Sequence, residues 1–271
     1  MRKRVFKYIN LALVALLLIS CSEFRKIQKS NDADLKYEAA MKYYEEEDFY
    51  RAAILFEEVL PLIIGSEKAE KAQFFFAYSH FKQGNYLLAS HYFDTFFTTY
   101  RRSEYAEEAL FMHAFSLYKE SPRYNLDQTE TIEAINAVQN FINLYPRSEY
   151  IVQANDIIDQ LQDKLERKAF EKAEQYYKLE RLKAAVVAFE NFRKDFPDSD
   201  KNEQASYLMI EAQYKYASNS IPSKQRERLI EAREFYEQFI DRYAQSEYGR
   251  DAEKIYSNII DDLSKLNERN S

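Results

Sequence analysis

The stretch Phe141–Ala154, FINLYPRSEYIVQA, reads as one helix end, a proline-marked break and the start of another helix. Nearly the same phrase stands at Phe97–Ala109 (FTTYRRSEYAEEA) and Phe239–Ala252 (FIDRYAQSEYGRDA), and a degraded copy at Phe192–Ala205 (FRKDFPDSDKNEQA). A phrase that returns at a fixed phase marks a repeated structural unit. Aligned, the copies obey one rule: Ala, apolar residues at +4, +7 and +11, Ser at +14, an acid at +15 and Ala at +20. The rule holds five times, from Ala52, Ala89, Ala134, Ala185 and Ala232.

Spacings of +4, +7 and +11 place the apolar residues on one stripe of a helix. The Ser-acid pair is expected to open the next helix, with the hydroxyl accepting from a free backbone N–H and the acid complementing the helix dipole. Pro146 and Pro197 sit just past their aromatic residue, where a helix must stop. A second alanine lies twelve residues earlier in three cases: Ala40 before Ala52, Ala77 before Ala89 and Ala173 before Ala185. Ala114 to Ala134 and Ala212 to Ala232 are twenty apart, which predicts loops around SPRYNLDQ and SNSIPSKQ, marked by Pro122 and Pro222. From Ser148 to Ala173 the distance is 25 residues, against eleven from Ser66 to Ala77 and from Ser103 to Ala114, and the intervening segment has no Gly or Pro. A single long helix is expected there, joining three repeats to two.

Composition agrees with this reading. Three Gly and five Pro in 271 residues leave few turns for an all-β fold. Twenty-three Tyr and 20 Phe supply a core, and 31% charged residues a solvated exterior. The first twenty residues form a separate segment, with Arg2, Lys3, Arg4 and Lys7 before an apolar run from Leu11 to Ile19. That order matches a secretory signal peptide, and the run is shorter than the roughly 20 residues a membrane span needs. Leu18–Cys21, LISC, resembles a bacterial lipobox, which makes Cys21, the only cysteine, the expected lipidation site. Ser22, rather than Asp, follows it and favours the outer membrane in the sorting scheme this resembles.

Without residues 1–20 the chain holds 34 Lys and Arg against 45 Asp and Glu, a net charge of −11. It lacks the basic footprint of a nucleic-acid binder. His80, His91 and His113 lie on different predicted helices, without an H-E-x-x-H or cysteine motif, so no metal site is expected. No nucleophile elbow, phosphate loop or dinucleotide fingerprint occurs, and neither an enzyme, a cofactor nor a small-molecule substrate is expected. Aromatics in KYYEEEDFY and FFFAYSHF exceed what the repeat core uses. Tyr43, Tyr44, Phe75, Tyr78 and Phe81 are therefore candidates for a groove that takes extended peptide segments.

Helix pairs meeting at alanines twelve apart resemble the tetratricopeptide (TPR) repeat. The predicted fold is an all-α solenoid of about five TPR-like helix pairs, in two halves joined by a long helix. Its expected organisation is a signal peptide at 1–20, a lipidated tether at 21–33, repeats one to three at 34–150, the long helix with repeats four and five at 151–265, and a tail at 266–271. Lipobox, five repeats, YPRSEY after a longer loop in repeat three and an extended helix before repeat four together resemble the BamD (YfiO) family. These are outer-membrane-protein assembly lipoproteins, and the resemblance spans about residues 21–265.

The resemblance implies a lipid-anchored scaffold at the outer membrane, facing the periplasm. It would bind the BamA β-barrel insertase and the C-terminal segments of unfolded outer-membrane proteins. N-terminal repeats would take precursors and C-terminal repeats BamA, with Arg181, Lys183, Arg226 and Arg228 as candidate BamA-side contacts. TTYRRSEY and RYAQSEY lack the Tyr-Pro of the pattern, a departure confined to loops. The alternative is another periplasmic TPR lipoprotein coordinating envelope biogenesis or division. A SusD-like nutrient-binding lipoprotein needs a much longer chain.

Overall fold

The computed structural model describes residues 23–269, which places the Cys21 lipidation site and the signal segment outside the described residues. After a short helix α1 (residues 23–28), α2 (Ala33–Glu45) pairs with α3 (Phe49–Val59). Next, α4 (Glu67–Lys82) pairs with α5 (Tyr86–Thr99) and α6 (Ala106–Glu120) with α7 (Thr129–Leu144). The 28-residue α8 (Ile151–Lys178) follows. Its second half packs on α9 (Leu182–Asp195) and α10 (Asn202–Ser218), α10 pairs with α11 (Pro222–Arg242), and α12 (Gly249–Arg269) lies on both. This is an all-α fold of TPR-like pairs, with no strand among the described residues. It forms two compact units: residues up to 122 with 127–161, and residues 123–126 with those from 162 onward, so the division falls within α8.

The alanine rule is a packing rule. Ala40, Ala52, Ala77, Ala89, Ala114, Ala134, Ala173, Ala185, Ala212 and Ala232 are all fully buried. Only a methyl fits where two helices approach this closely. The +7 residues Val59, Phe96, Phe141, Phe192 and Phe239 are buried beside them. Seven residues after the first alanine comes the turn, and there the backbone enters the left-handed region: Gly84 (φ 80°), Glu47 (φ 61°) and Glu180 (φ 55°). Gly84 suits this conformation, while the two glutamates bear a steric penalty.

The recurrent SEY phrase has a second purpose that the spacing did not reveal. The residue two after Ser packs on an aromatic of the preceding repeat's first helix. Tyr105 stacks on Phe74 at 4.5 Å, and Tyr150 on Phe111 at 4.5 Å. Tyr248 stacks on Tyr207 at 4.9 Å. Where lysine replaces tyrosine, its ammonium takes the same place: Lys68 over Tyr37 at 5.1 Å, Lys201 over Phe170 at 5.7 Å. Each joint thus staples successive repeats through ring stacking or a cation-π contact.

Two expectations need correction. Ser103, Ser148, Ser199 and Ser246 do not open their helices, which begin three residues later. Each hydroxyl instead accepts from the N–H two residues on, at 3.0–3.1 Å, within a turn that precedes the helix. Ser66 does stand at the N-cap of α4, but its side chain makes no capping bond. The second correction concerns SNSIPSKQ. Only residues 219–221 break the helix, and Pro222 is the first residue of α11. Proline is preorganised for that position and needs no N–H there. The SPRYNLDQ segment is non-helical throughout, as expected.

Candidate interaction surfaces

In the first unit, half-buried aromatics run along the first helices of consecutive repeats. Tyr44 at the end of α2 meets Phe75 of α4 with ring centroids 4.7 Å apart. Along α4, Tyr78 lies 6.4 Å from Phe81, which reaches Phe115 of α6 at 5.7 Å. Phe115 continues to Tyr118 at 5.8 Å, and its ring carries Lys119 at 4.9 Å. Of the five groove candidates, the structure therefore brings together Tyr44, Phe75, Tyr78 and Phe81. Tyr43, one residue and about 100° further round the helix, instead packs on Phe24 of α1 and beside Arg51.

Phe115 and Tyr118 were missed from sequence, although a signal existed. They stand one and four residues after Ala114, as Tyr78 and Phe81 do after Ala77. The equivalents in the second unit are Glu174, Tyr177, Gln213 and Tyr216. There Lys215 donates to the Tyr177 hydroxyl at 2.6 Å, and the Arg228 guanidinium lies 4.0 Å from the Tyr216 ring centre. One repeat register thus presents an aromatic strip in the first unit and a polar, cation-covered surface in the second.

The strip is anchored electrostatically from below. Tyr78 donates its hydroxyl to the Glu108 carboxylate, and its ring lies 5.0 Å from both Phe74 and Phe93. Burial, then that hydrogen bond, raises the Tyr78 phenol well above its ordinary range. Burial first, and Glu108 second, push Tyr44 up to about 12. Tyr78 consequently belongs as much to the packing beneath the strip as to its surface.

The four cationic candidates in the second unit separate. Arg181 and Lys183 line a groove of about 880 Å³ with Lys172. Arg228 folds onto Tyr216 and donates to Ser220. Arg226 is exposed on α11. Among the described residues no helix is long and apolar enough to cross a membrane.

Buried small residues, paired helices and side chains displayed along the first helix of each pair define a TPR-type repeat protein. The family described as outer membrane lipoprotein, YfiO, matches residues 29–229, and the chain belongs to that family. No curated protein matches it in sequence. Among solved structures it is similar to the TPR2AB-domain:pHSP90 complex of yeast Sti1, at 13% identity and a TM-score of 0.39, covering 84% of this chain and 98% of that one. It is also similar to a Podosopora anserina kinesin-light-chain protein of nearly identical TPR-like repeats, at 12% identity and a TM-score of 0.33, covering 76% and 97% of the two chains.

Proposed function

We propose that this outer membrane lipoprotein is a non-enzymatic scaffold of the β-barrel assembly machinery. In this reading, acyl chains on Cys21 hold it at the outer membrane with the repeats facing the periplasm. The repeats at 34–150 receive unfolded outer-membrane-protein precursors, and the repeats at 151–265 engage a BamA-like insertase. One observation carries the reading: the aromatic strip from Tyr44 to Tyr118, which crosses three successive repeats. An extended β-barrel segment, with alternate apolar side chains and a terminal aromatic residue, suits a row of half-buried rings because ring faces accept apolar groups while leaving backbone groups hydrated. The charged second unit supports a folded partner recognised through rim charges.

The test is fluorescence anisotropy of the full chain in detergent with labelled peptides copying the last strand of β-barrel proteins. Binding should weaken about tenfold in Phe115→Ala, which removes a half-buried ring of the strip, and stay constant in Val187→Ala. Peptides that bind equally to both variants, or not at all, would remove the precursor-binding half of the proposal.

A further inference from the structure

The paired alanines give every repeat a common ruler, and by that ruler repeat four is hollow where repeat two is filled. Phe76, His80 and Tyr92 of repeat two occupy the positions of Lys172, Tyr176 and Ala188 in repeat four. In repeat two the three rings form a cluster, with centroids 4.5 Å (Phe76–Tyr92), 4.7 Å (Phe76–His80) and 5.3 Å (His80–Tyr92) apart. In repeat four a methyl replaces the Tyr92 ring. The groove of about 880 Å³ runs along α9, walled on one side by Ala169, Lys172 and Tyr176 of α8. Its apolar surface includes Ala184, Ala188 and Val187, the last 48% exposed. Repeat five has Phe235 at the Ala188 position; repeat three has Ala137 there and the buried Leu117 at the Tyr176 position, both part of one hydrophobic cluster.

Repeat one shows what such a surface can hold. Its corresponding face is covered by α1, whose Phe24 and Ile27 pack into the repeat's buried cluster. Phe24 lies 5.8 Å from Tyr43 and 5.5 Å from the Arg51 guanidinium, and Gln28 donates to Glu58 at 2.9 Å. Tyr43, Arg51 and Glu58 correspond by register to Tyr176, Ala184 and Asn191, which all line the repeat-four groove. The same position is thus occupied by a short amphipathic helix in one repeat and open in the other.

Charge narrows the occupant. Lys172, Arg181 and Lys183 border the groove against two acids, Glu180 and Asp195, in a chain of net charge −7. Elsewhere in this unit Lys178, Lys201, Lys215, Lys224, Lys254 and Lys265 each pair with a carboxylate. The three groove cations make no ion pair among the described residues. A second copy's α1 is a poor fit, because Arg25 and Lys26 are exposed on it and the exposed Lys29 follows it directly.

We infer that the repeat-four groove docks a short amphipathic helix of another protein, with two large apolar side chains three residues apart and carboxylates on its flanks. The geometry is that of α1 on repeat one with the flanking charge reversed. The inference rests on the repeat register; it shares Arg181 and Lys183 with the proposed insertase-binding half, but the peptide experiment reads the groove with no insertase present, so either can fail without the other.

The test uses the full chain in detergent micelles and two fluorescein-labelled stapled peptides. Both keep the Phe-x-x-Ile spacing of Phe24 and Ile27; one has Glu on its flanks, the other Lys. Saturable binding of the acidic peptide in about the micromolar range is expected, with the basic peptide at least about tenfold weaker. Ala188→Tyr, which rebuilds the ring of repeat two, should reduce acidic-peptide binding about tenfold while circular dichroism stays helical. The double change Arg181→Glu with Lys183→Glu leaves the packing intact and should reverse the preference between peptides. Absence of saturable acidic-peptide binding up to about 1 mM would overturn the inference. So would binding that the charge reversal leaves unchanged, whether or not Ala188→Tyr folds.

Discussion

Substituting Tyr78 separates two contributions that meet in one side chain. Tyr78→Phe keeps the ring but deprives Glu108 of its hydroxyl donor. A hydrogen bond to a charged group contributes about 1.5–3 kcal/mol, and since Glu108 is half-buried, water recovers part of it, leaving a cost of about 1–2 kcal/mol. Tyr78→Ala also removes the ring packed 5.0 Å from the buried Phe74 and Phe93. The cavity brings the total to about 3–5 kcal/mol. With about 2–4 °C per kcal/mol for a chain of this size, the phenylalanine variant should melt about 2–8 °C lower, and the alanine variant well below that. Thermal unfolding followed by circular dichroism at pH 8 measures both. The pH dependence follows from the raised phenol: its stabilisation is complete below the unfolded phenol's pKa of about 10 and is lost as pH rises toward the folded value. The gap between wild type and Tyr78→Phe should therefore narrow above about pH 10. A phenylalanine variant as stable as wild type at pH 8, or a gap that widens with alkali, would refute the Tyr78–Glu108 assignment.

Three further outcomes are expected. Glu180→Gly relieves a left-handed residue at φ 55°; the relief of about 1–2 kcal/mol, less about 0.5–1 for glycine's greater unfolded-state freedom, should raise the urea midpoint modestly. Ala89→Leu enlarges a fully buried helix contact and should destabilise by about 1–3 kcal/mol in the same assay, an unchanged midpoint contradicting the register. Cys21→Ala should release the protein from membranes in alkaline and high-salt washes, since stable anchoring needs more than one acyl chain and the described residues contain no spanning helix; retention after those washes would contradict a lipid anchor.

The helix pairs were readable from sequence because close helix packing admits only small residues, and small residues at fixed spacing leave a periodic trace. The long α8 was readable for a similar reason: a helix without Gly or Pro has no cause to stop. Contacts between repeats left a weaker trace. The tyrosine of SEY is visible in the repeated phrase, but its stacking partner lies in the previous repeat, and lysine fills the same position with different chemistry. Pro222 misled because proline both ends helices and begins them, and only the backbone around it distinguishes the two. Tyr43 and Tyr44 are neighbours in the chain yet diverge on the helix, which separates a residue under α1 from one on the strip. The repeat-four groove consists of what is missing, and an alanine at 188 becomes informative only beside Tyr92 at the same register.

The central claim, a scaffold acting with a β-barrel insertase, is tested most directly by its partners in the membrane. Full-length, affinity-tagged protein would be crosslinked in intact outer membranes, purified under denaturing conditions and its adducts identified by mass spectrometry. The dominant adduct should be a BamA-like β-barrel insertase, with unfolded outer-membrane proteins as minor adducts that diminish in Phe115→Ala. Adducts dominated by division or peptidoglycan-synthesis proteins, with no insertase among them, would contradict the claim.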